Sequence, residues 1–171
     1  RGPNGVWTKD PSAAAMFDID RYRADPDLRR RAWLNRRDHP AWTAAPNPAH
    51  EAFVALETSG RLRALLTQNI DGLHRAAGSR DLIELHGCIW RVRCTGCRGI
   101  FDHTTHPLPE IPPLCEECGE IVRPDIVWFG EIPYHMEAIG LQLAACDLFV
   151  AIGTSGLPEG GGSTMRGTWV V

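Results

Sequence analysis

In Leu62-Arg63-Ala64-Leu65-Leu66-Thr67-Gln68-Asn69-Ile70-Asp71-Gly72, a short apolar run passes directly into a polar turn. Apolar runs of this length, bounded by turn residues, are typical of buried strands in parallel sheets. In such sheets, ligands bind at the carboxyl ends of the strands. The polar residues from Gln68 to Asp71 are therefore the first candidates for a binding site.

The same pattern recurs along the chain. Further apolar runs are Leu82-Ile83-Glu84-Leu85 before His86-Gly87, Ile126-Val127-Trp128-Phe129 before Gly130-Glu131, and Leu148-Phe149-Val150-Ala151-Ile152 before Gly153-Thr154-Ser155. Helical patterns separate these runs, and they cover residues 26–37, 48–60 and 136–144. This alternation predicts an α/β fold with a parallel sheet and helices on both faces.

Length and composition fit a globular main domain with a small companion. The chain has 171 residues, of which 43% are hydrophobic and 23% charged, and its net charge is -3. A slightly acidic chain is not expected to bind nucleic acid through bulk charge. No run of about 18 apolar residues occurs, so we expect no membrane association. Because the chain starts at Arg1 and not at Met, we interpret it as a processed product or a fragment.

Two Cys-x-x-Cys pairs predict a metal site. The four residues are Cys94, Cys97, Cys115 and Cys118. Four thiolates bind zinc tetrahedrally, and a site closed in this way leaves no position for water, so we expect one structural zinc ion. An iron centre is chemically possible with the same ligands. His103 and His106 lie between the pairs and are interpreted as exposed loop residues. Metal-binding thiols without a secretion signal indicate the cytoplasm.

His86 is a candidate catalytic residue because of its position. It follows a predicted strand, precedes a glycine, and shares the predicted sheet edge with Asn69 and Asp71. A histidine without such neighbours is more often structural. The basic helix at 26–37 permits two interpretations, a solvated face or a site for an anionic ligand.

Several motifs follow one another in the order that characterises the sirtuins. They are Arg1-Gly2, Thr67 to His74, Glu84 to Gly87, the four cysteines, Arg123 to Glu131, and Gly153 to Ser155. On these motifs the chain resembles a bacterial sirtuin, an NAD-dependent protein-lysine deacylase. The resemblance covers about residues 1 to 156.

The resemblance implies a Rossmann-like domain and a smaller domain, with NAD in the cleft between them. Residues 1–7, 49–87 and 125–156 are assigned to the Rossmann-like domain, 8–48 to a helical module, 88–124 to a zinc ribbon, and 157–171 to a divergent Gly-rich tail. The family's Gly-rich phosphate-binding stretch would precede Arg1 and further strands would follow Ser155. We therefore expect an incomplete sirtuin.

The resemblance also assigns residues to NAD and to catalysis. The predicted NAD contacts are Arg1, Gln68, Asn69, Ile70, Asp71, Gly153, Thr154 and Ser155. His86 matches the general base, which helps to deprotonate a ribose hydroxyl after the acyl oxygen has attacked the ribose carbon and nicotinamide has left. A neutral imidazole at cytoplasmic pH suits this role.

The substrate of the family is an acyl-lysine protein or peptide. The matching segment for the peptide is Val127, Trp128, Phe129, Gly130 and Glu131, although plain core packing is the alternative for the two aromatic residues. A subgroup with succinyl or malonyl preference has a Tyr and an Arg where this chain has Trp33 and Arg36. Arg36 could pair with an acyl carboxylate, but Trp33 lacks the hydroxyl group. Acetyl-lysine is therefore the expected substrate.

Two other functions remain open at this level. One is an inactive sirtuin fragment, and the other is a zinc-ribbon binding module without catalysis. The cluster of His86 with Asn69 and Asp71 favours the enzyme.

Overall fold

The computed structural model describes residues 17–104, 108 and 110–153, and these residues form two compact units. The first unit contains the described residues of 17–43 and 89–132, and the second contains 44–88 and 133–153. The predicted tail at 157–171 lies outside the described residues. Residues 125–132, which the sequence assigned to the Rossmann-like domain, lie in the first unit.

Two helices begin the first unit, α1 at Ile19–Ala24 and α2 at Pro26–Arg37. The Asp25 carboxylate accepts hydrogen bonds from the amides of Asp27 and Leu28, which have no partner inside the helix. Pro26 occupies the first turn, where a missing N–H costs nothing. The predicted helix over 26–37 is thereby confirmed.

An antiparallel arrangement forms most of the rest of this unit. Its strands are β3 at Gly87–Cys94, β4 at Ile100–Asp102 and β5 at Val122–Ile126, in the order β4-β3-β5. Strands β1, at Leu65–Thr67, and β2, at Leu82–Glu84, belong to the second unit. Strands β3 and β4 run antiparallel, with Val92 opposite Phe101.

Two expectations about this part of the chain are wrong. The cysteine pairs and prolines from Cys88 to Arg123 predicted little periodic structure, and the apolar run at 126–129 predicted a strand. Strand β5 instead ends at Ile126. The charged residues Arg123 and Asp125 are buried within it, because each has an ion-pair partner. An apolar pattern cannot predict a strand whose burial depends on such pairs.

Two aromatic residues connect the helices to β5. The Tyr22 hydroxyl donates to the carbonyl of Val122 at 2.7 Å, and the Trp33 indole Nε1 donates to the Tyr22 hydroxyl at 2.7 Å. Both side chains are fully buried, and burial raises the pKa of Tyr22 despite the Trp33 hydrogen bond. Each polar atom is satisfied, so the burial of these large rings stabilises the unit.

Arg36 connects α2 to the sheet. Its guanidinium donates to the carbonyl of Ile89 at 2.6 Å and to that of His103 at 2.8 Å. The guanidinium carbon also lies 5.2 Å from the centre of the Trp33 ring and 5.0 Å from that of Trp42. Arg36 is only 4% exposed. Arg36 and Trp33 are thus occupied inside the first unit, and this geometry does not support the substrate role suggested for them.

Replacing Arg36 with alanine should lower the free energy of unfolding of the first unit by about 2–6 kcal/mol. The change leaves buried carbonyl groups of Ile89 and His103 without this donor, at about 1–3 kcal/mol for each unpaired group. Arg31→Ala is the matched control, because Arg31 lies on the same helix and is exposed. Denaturant unfolding of both variants tests this, and equal stabilities would contradict it.

The second unit contains three helices and a parallel pair of strands. The helices are α3 at Pro48–Thr58, α4 at Leu73–Ala77 and α5 at Met136–Ala145, and the strands are β1 at Leu65–Thr67 and β2 at Leu82–Glu84. The strands pair in parallel, with Leu65 beside Leu82 and Thr67 beside Glu84. Their carboxyl ends therefore lie at the same edge.

The predicted strand over 148–152 is absent from the described part of the second unit. Leu148 is 71% exposed and Ile152 is 48% exposed. Burial on both faces is what favours an apolar strand in a parallel sheet, and these side chains lack it. In the described ranges, no helix is long and apolar enough to cross a membrane.

Candidate functional site

Four cysteines of the first unit converge on one point. Their sulfur atoms all lie within 4.8 Å of one another, and they belong to Cys94, Cys97, Cys115 and Cys118. The sulfur atoms of Cys94 and Cys118 are 3.5 Å apart, and those of Cys97 and Cys115 are 3.8 Å apart. Zinc–sulfur bonds of about 2.3 Å place tetrahedral sulfur atoms about 3.8 Å apart. These residues therefore fit a single zinc ion.

Backbone amides favour the thiolate form of one member of this cluster, Cys94. Burial raises the pKa of Cys94, but hydrogen bonds from the Gly96 and Cys97 amides and from neighbouring thiols outweigh burial and lower the pKa to about 7. A side chain at Gly99 would place its Cβ 2.5 Å from the Phe101 ring. The Phe101 ring would therefore have to move to admit any side chain at position 99.

His103 does not join the cluster. Its imidazole is half-buried and packs against Trp33, with ring centres 5.7 Å apart. Burial lowers its pKa, and the nearby Arg36 charge acts in the same direction. His103 lies in the loop after β4, as interpreted, but its ring is half-buried and not exposed, because the unit uses it for packing. His106 lies outside the described residues.

His86 lies in the turn after β2, next to the end of β1. Its Nδ1 is 3.0 Å from the carbonyl oxygen of Gln68. A carbonyl oxygen only accepts, so Nδ1 carries the proton in this contact and Nε2 is the basic nitrogen. The side chain is half-buried, and burial lowers its pKa while the Gln68 hydrogen bond opposes this. The arrangement provides a neutral, oriented imidazole.

The turn after β1 presents polar groups at the same strand ends. The backbone amide of Asn69 donates to the Thr67 hydroxyl at 3.1 Å, and the Asp71 carboxylate accepts from the backbone amide of Leu73 at 2.9 Å. Gln68 and Asn69 are exposed, whereas Ile70 and Asp71 are half-buried. The structure brings this turn to His86, as the parallel pairing predicted.

Of the other predicted NAD contacts, only Gly153 lies among the described residues. Gly153 is exposed and has a positive φ of 72°, which favours glycine. Arg1, Thr154 and Ser155 lie outside the described residues.

The predicted substrate segment divides into buried and exposed side chains. Trp128 is 3% exposed and packs against Tyr22 with ring centres 5.0 Å apart, so its side chain lies in the core of the unit. Phe129 is 57% exposed. Gly130 is exposed, whereas Val127 and Glu131 are half-buried.

Sequence reasoning missed the ion pairs around this segment. The Asp125 carboxylate lies 3.2 Å from Arg91 and 2.9 Å from Arg93, and Arg123 pairs with Glu131 at 2.6 Å. The alternation of charges in Arg91-Val92-Arg93 and in Arg123-Pro124-Asp125 was the available signal, because alternate residues of a strand share a face.

Comparison with known proteins identifies relatives across most of the chain. An NAD-dependent protein deacylase 2 of Pyrobaculum aerophilum is 42% identical over 160 residues, which cover 92% of this chain and 63% of that protein. An NAD-dependent protein deacetylase 2 of Streptomyces coelicolor is 42% identical over 163 residues, covering 91% and 68%. The chain thus spans about two thirds of the length of these relatives.

Solved structures agree with these relatives. A mutant Sir2 homologue in complex with ADP-ribose has a TM-score of 0.81 and 32% identity, covering 94% of this chain and 64% of its own. A Sir2 bound to acetylated peptide has a TM-score of 0.60 and 31% identity, covering 76% and 55%. The first likeness confirms the predicted fold class, a parallel sheet with helices and a small zinc-ribbon domain. The Sir2 family model matches residues 1–157, and the chain belongs to that family.

Proposed function

We propose that this protein is an NAD-dependent protein-lysine deacylase whose preferred substrate is acetyl-lysine. The observation that carries the proposal is the His86 imidazole, which is fixed by the Gln68 carbonyl at the shared end of two parallel strands. Relatives with 42% identity that are named deacylase and deacetylase support the same activity.

In this proposal His86 is the general base. The hydrogen bond from Nδ1 to Gln68 orients the ring and leaves Nε2 to accept a proton from a ribose hydroxyl. An imidazole that is neutral at physiological pH accepts this proton without first losing one of its own. The role requires orientation more than a strong base, and the strand ends provide that orientation.

The turn from Gln68 to Asp71 would hold NAD together with Gly153. The exposed amide groups of Gln68 and Asn69 can donate and accept hydrogen bonds, as the carboxamide and the ribose of NAD require. NAD supplies the ribose carbon that receives the acyl group and the nicotinamide that leaves. We also assign Arg1, Thr154 and Ser155 to this binding site.

The substrate would be an acyl-lysine protein or peptide. Val127, Phe129 and Gly130 are the proposed contacts, because extended peptides pair with exposed backbone and place side chains against apolar groups. We exclude Trp128, Trp33 and Arg36 from direct contact because their side chains are buried. Without an accessible Arg36, the described residues offer no reason to prefer a succinyl group.

The metal has a structural role in this account. Four sulfur ligands complete a tetrahedral site, so no position remains at which zinc could activate water. The four thiols need a reducing compartment, and we therefore place the protein in the cytoplasm.

Deacylation should persist to lower pH than an ordinary histidine allows. Burial lowers the pKa of His86 below its usual 6.5, and only the neutral imidazole accepts a proton. The rate at pH 6.5 should therefore exceed half of its plateau value, and it should reach half only as the pH drops to the lowered pKa. Initial rates between about pH 5 and pH 8 test this. A half-maximal rate at or above pH 6.5 would contradict it.

The function itself is tested by the requirement for NAD. The protein is incubated with an acetyl-lysine peptide, with and without NAD, and mass spectrometry follows the loss of the acetyl group. We expect loss only with NAD, and slower reaction of a succinyl-lysine peptide. Equal loss without NAD, or none with it, would refute the proposal.

A further inference from the structure

One guanidinium organises the segment that follows β5. Arg123 is 4% exposed, and its two terminal nitrogens donate to the two carboxylate oxygens of Glu131 at 2.7 Å and 2.6 Å. One of these nitrogens also donates to the carbonyl of Ile126 at 2.9 Å. The guanidinium carbon lies 4.0 Å from the centre of the Trp128 ring. This planar fork therefore contacts residues 126, 128 and 131 together.

Glu131 also forms a four-residue turn with Trp128, held by two hydrogen bonds. Its carboxylate accepts from the Trp128 amide at 2.7 Å, and its own amide donates to the Trp128 carbonyl at 3.0 Å. Gly130 has a φ of 82°, as the third position of a type II turn requires. Burial raises the pKa of Glu131, but Arg123 and the Trp128 amide outweigh it and lower the pKa. The group is therefore a carboxylate at neutral pH.

The turn and the residue after it have one buried aromatic side chain and two exposed apolar side chains. Trp128 is 3% exposed, whereas Phe129 is 57% exposed at the second turn position and Ile132 is 79% exposed directly after the turn. Exposed aromatic and aliphatic side chains on a rigid backbone bind ligands with a small loss of conformational entropy. The ion pair supplies that rigidity.

We propose that the Arg123–Glu131 ion pair is a positioning device for the acyl-lysine peptide. It fixes residues 128–131 so that Phe129 and Ile132 contact apolar parts of the substrate, and neither charged residue touches the peptide. Glu131 is then a positioning residue and not the direct substrate contact that its motif suggested. This inference rests on the proposed function, because the ligand is the substrate of that function.

Two variants test the device. Glu131→Gln keeps the shape but removes the charge, and Arg123→Lys keeps the charge but loses the planar fork. Glu137→Gln is the matched control, since Glu137 is an exposed carboxylate in the first turn of α5. We measure fluorescence anisotropy with a fluorescein-labelled acetyl-lysine peptide, hydrogen exchange at the Trp128 and Glu131 amides, and zinc content.

We expect both variants to bind the peptide about tenfold or more weakly, with faster exchange at those two amides. Zinc content and protection of α1 and α2 should stay as in the wild type, and Glu137→Gln should change none of these. Wild-type affinity in both variants overturns the inference alone. Loss of zinc and helix protection in both variants also overturns it, because the pair is then a general stabiliser. A wild-type chain that does not bind the peptide refutes the proposed function, and this inference with it.

Discussion

Replacement of His86 by alanine is expected to lower lysine deacylation about 10²–10⁴-fold, the usual contribution of a positioned general base. The imidazole is held by the Gln68 carbonyl at the ends of β1 and β2, and alanine leaves no group there that could accept a proton. The side chain lies in a turn and is only half-buried, so fold and zinc content should remain unchanged.

Two measurements distinguish this role from a structural one. Release of nicotinamide should fall less than transfer of the acyl group, because the first step uses the acyl oxygen as the nucleophile and needs no base. His135→Asn is the matched control, since His135 is exposed and asparagine tolerates its positive φ of 62°. If the alanine variant kept wild-type deacylation, His86 would be structural and the assigned mechanism wrong.

Replacement of Cys97 by serine is expected to remove zinc and unfold the ribbon of the first unit. Binding of structural zinc contributes about 10–16 kcal/mol in zinc-finger peptides, and this binding energy is folding energy. Without the metal, the turns at Cys94 and Cys115 are held by local hydrogen bonds, such as that from the Cys115 amide to the Glu120 carbonyl at 2.8 Å. The effect should reach α2, because Arg36 bonds to Ile89 on β3.

Metal analysis and thermal unfolding measure this effect. Cys146→Ser is the matched control, because Cys146 lies outside the cluster and its thiol only donates to the carbonyl of Leu143. We expect the control to keep its zinc and its unfolding midpoint. A reduced Cys97→Ser protein that unfolds at the wild-type temperature would contradict the structural role of the metal.

The predictable parts of this fold are those that depend on neighbours in sequence. Helix α2 begins and ends as predicted, because the Asp25 cap and Pro26 act within one turn. The cysteine cluster followed from ligand spacing, since each pair lies on a single turn. The meeting of Gln68 with His86 followed from the rule that parallel strands share their carboxyl edge.

The parts that could not be predicted depend on distant partners. Arg36 bonds to a carbonyl that lies 53 positions away, so its helix gives no sign that the guanidinium is buried. Strand β5 carries Arg123 and Asp125 in its interior, and apolar patterns cannot identify a strand that is buried through ion pairs. The run at 148–152 has the composition of a strand, but composition does not supply the neighbour that a strand requires.

The proposal that this protein is an NAD-dependent lysine deacylase can be tested by following the acyl group to its product. The protein is incubated with NAD and a peptide carrying an isotope-labelled acetyl-lysine, and the labelled products are separated by mass spectrometry. We expect the labelled acetyl group to move to ADP-ribose, with free lysine and nicotinamide formed in equal amounts. Release of the label as free acetate without consumption of NAD would contradict it, because hydrolysis by water leaves no acyl group on ADP-ribose and consumes no NAD.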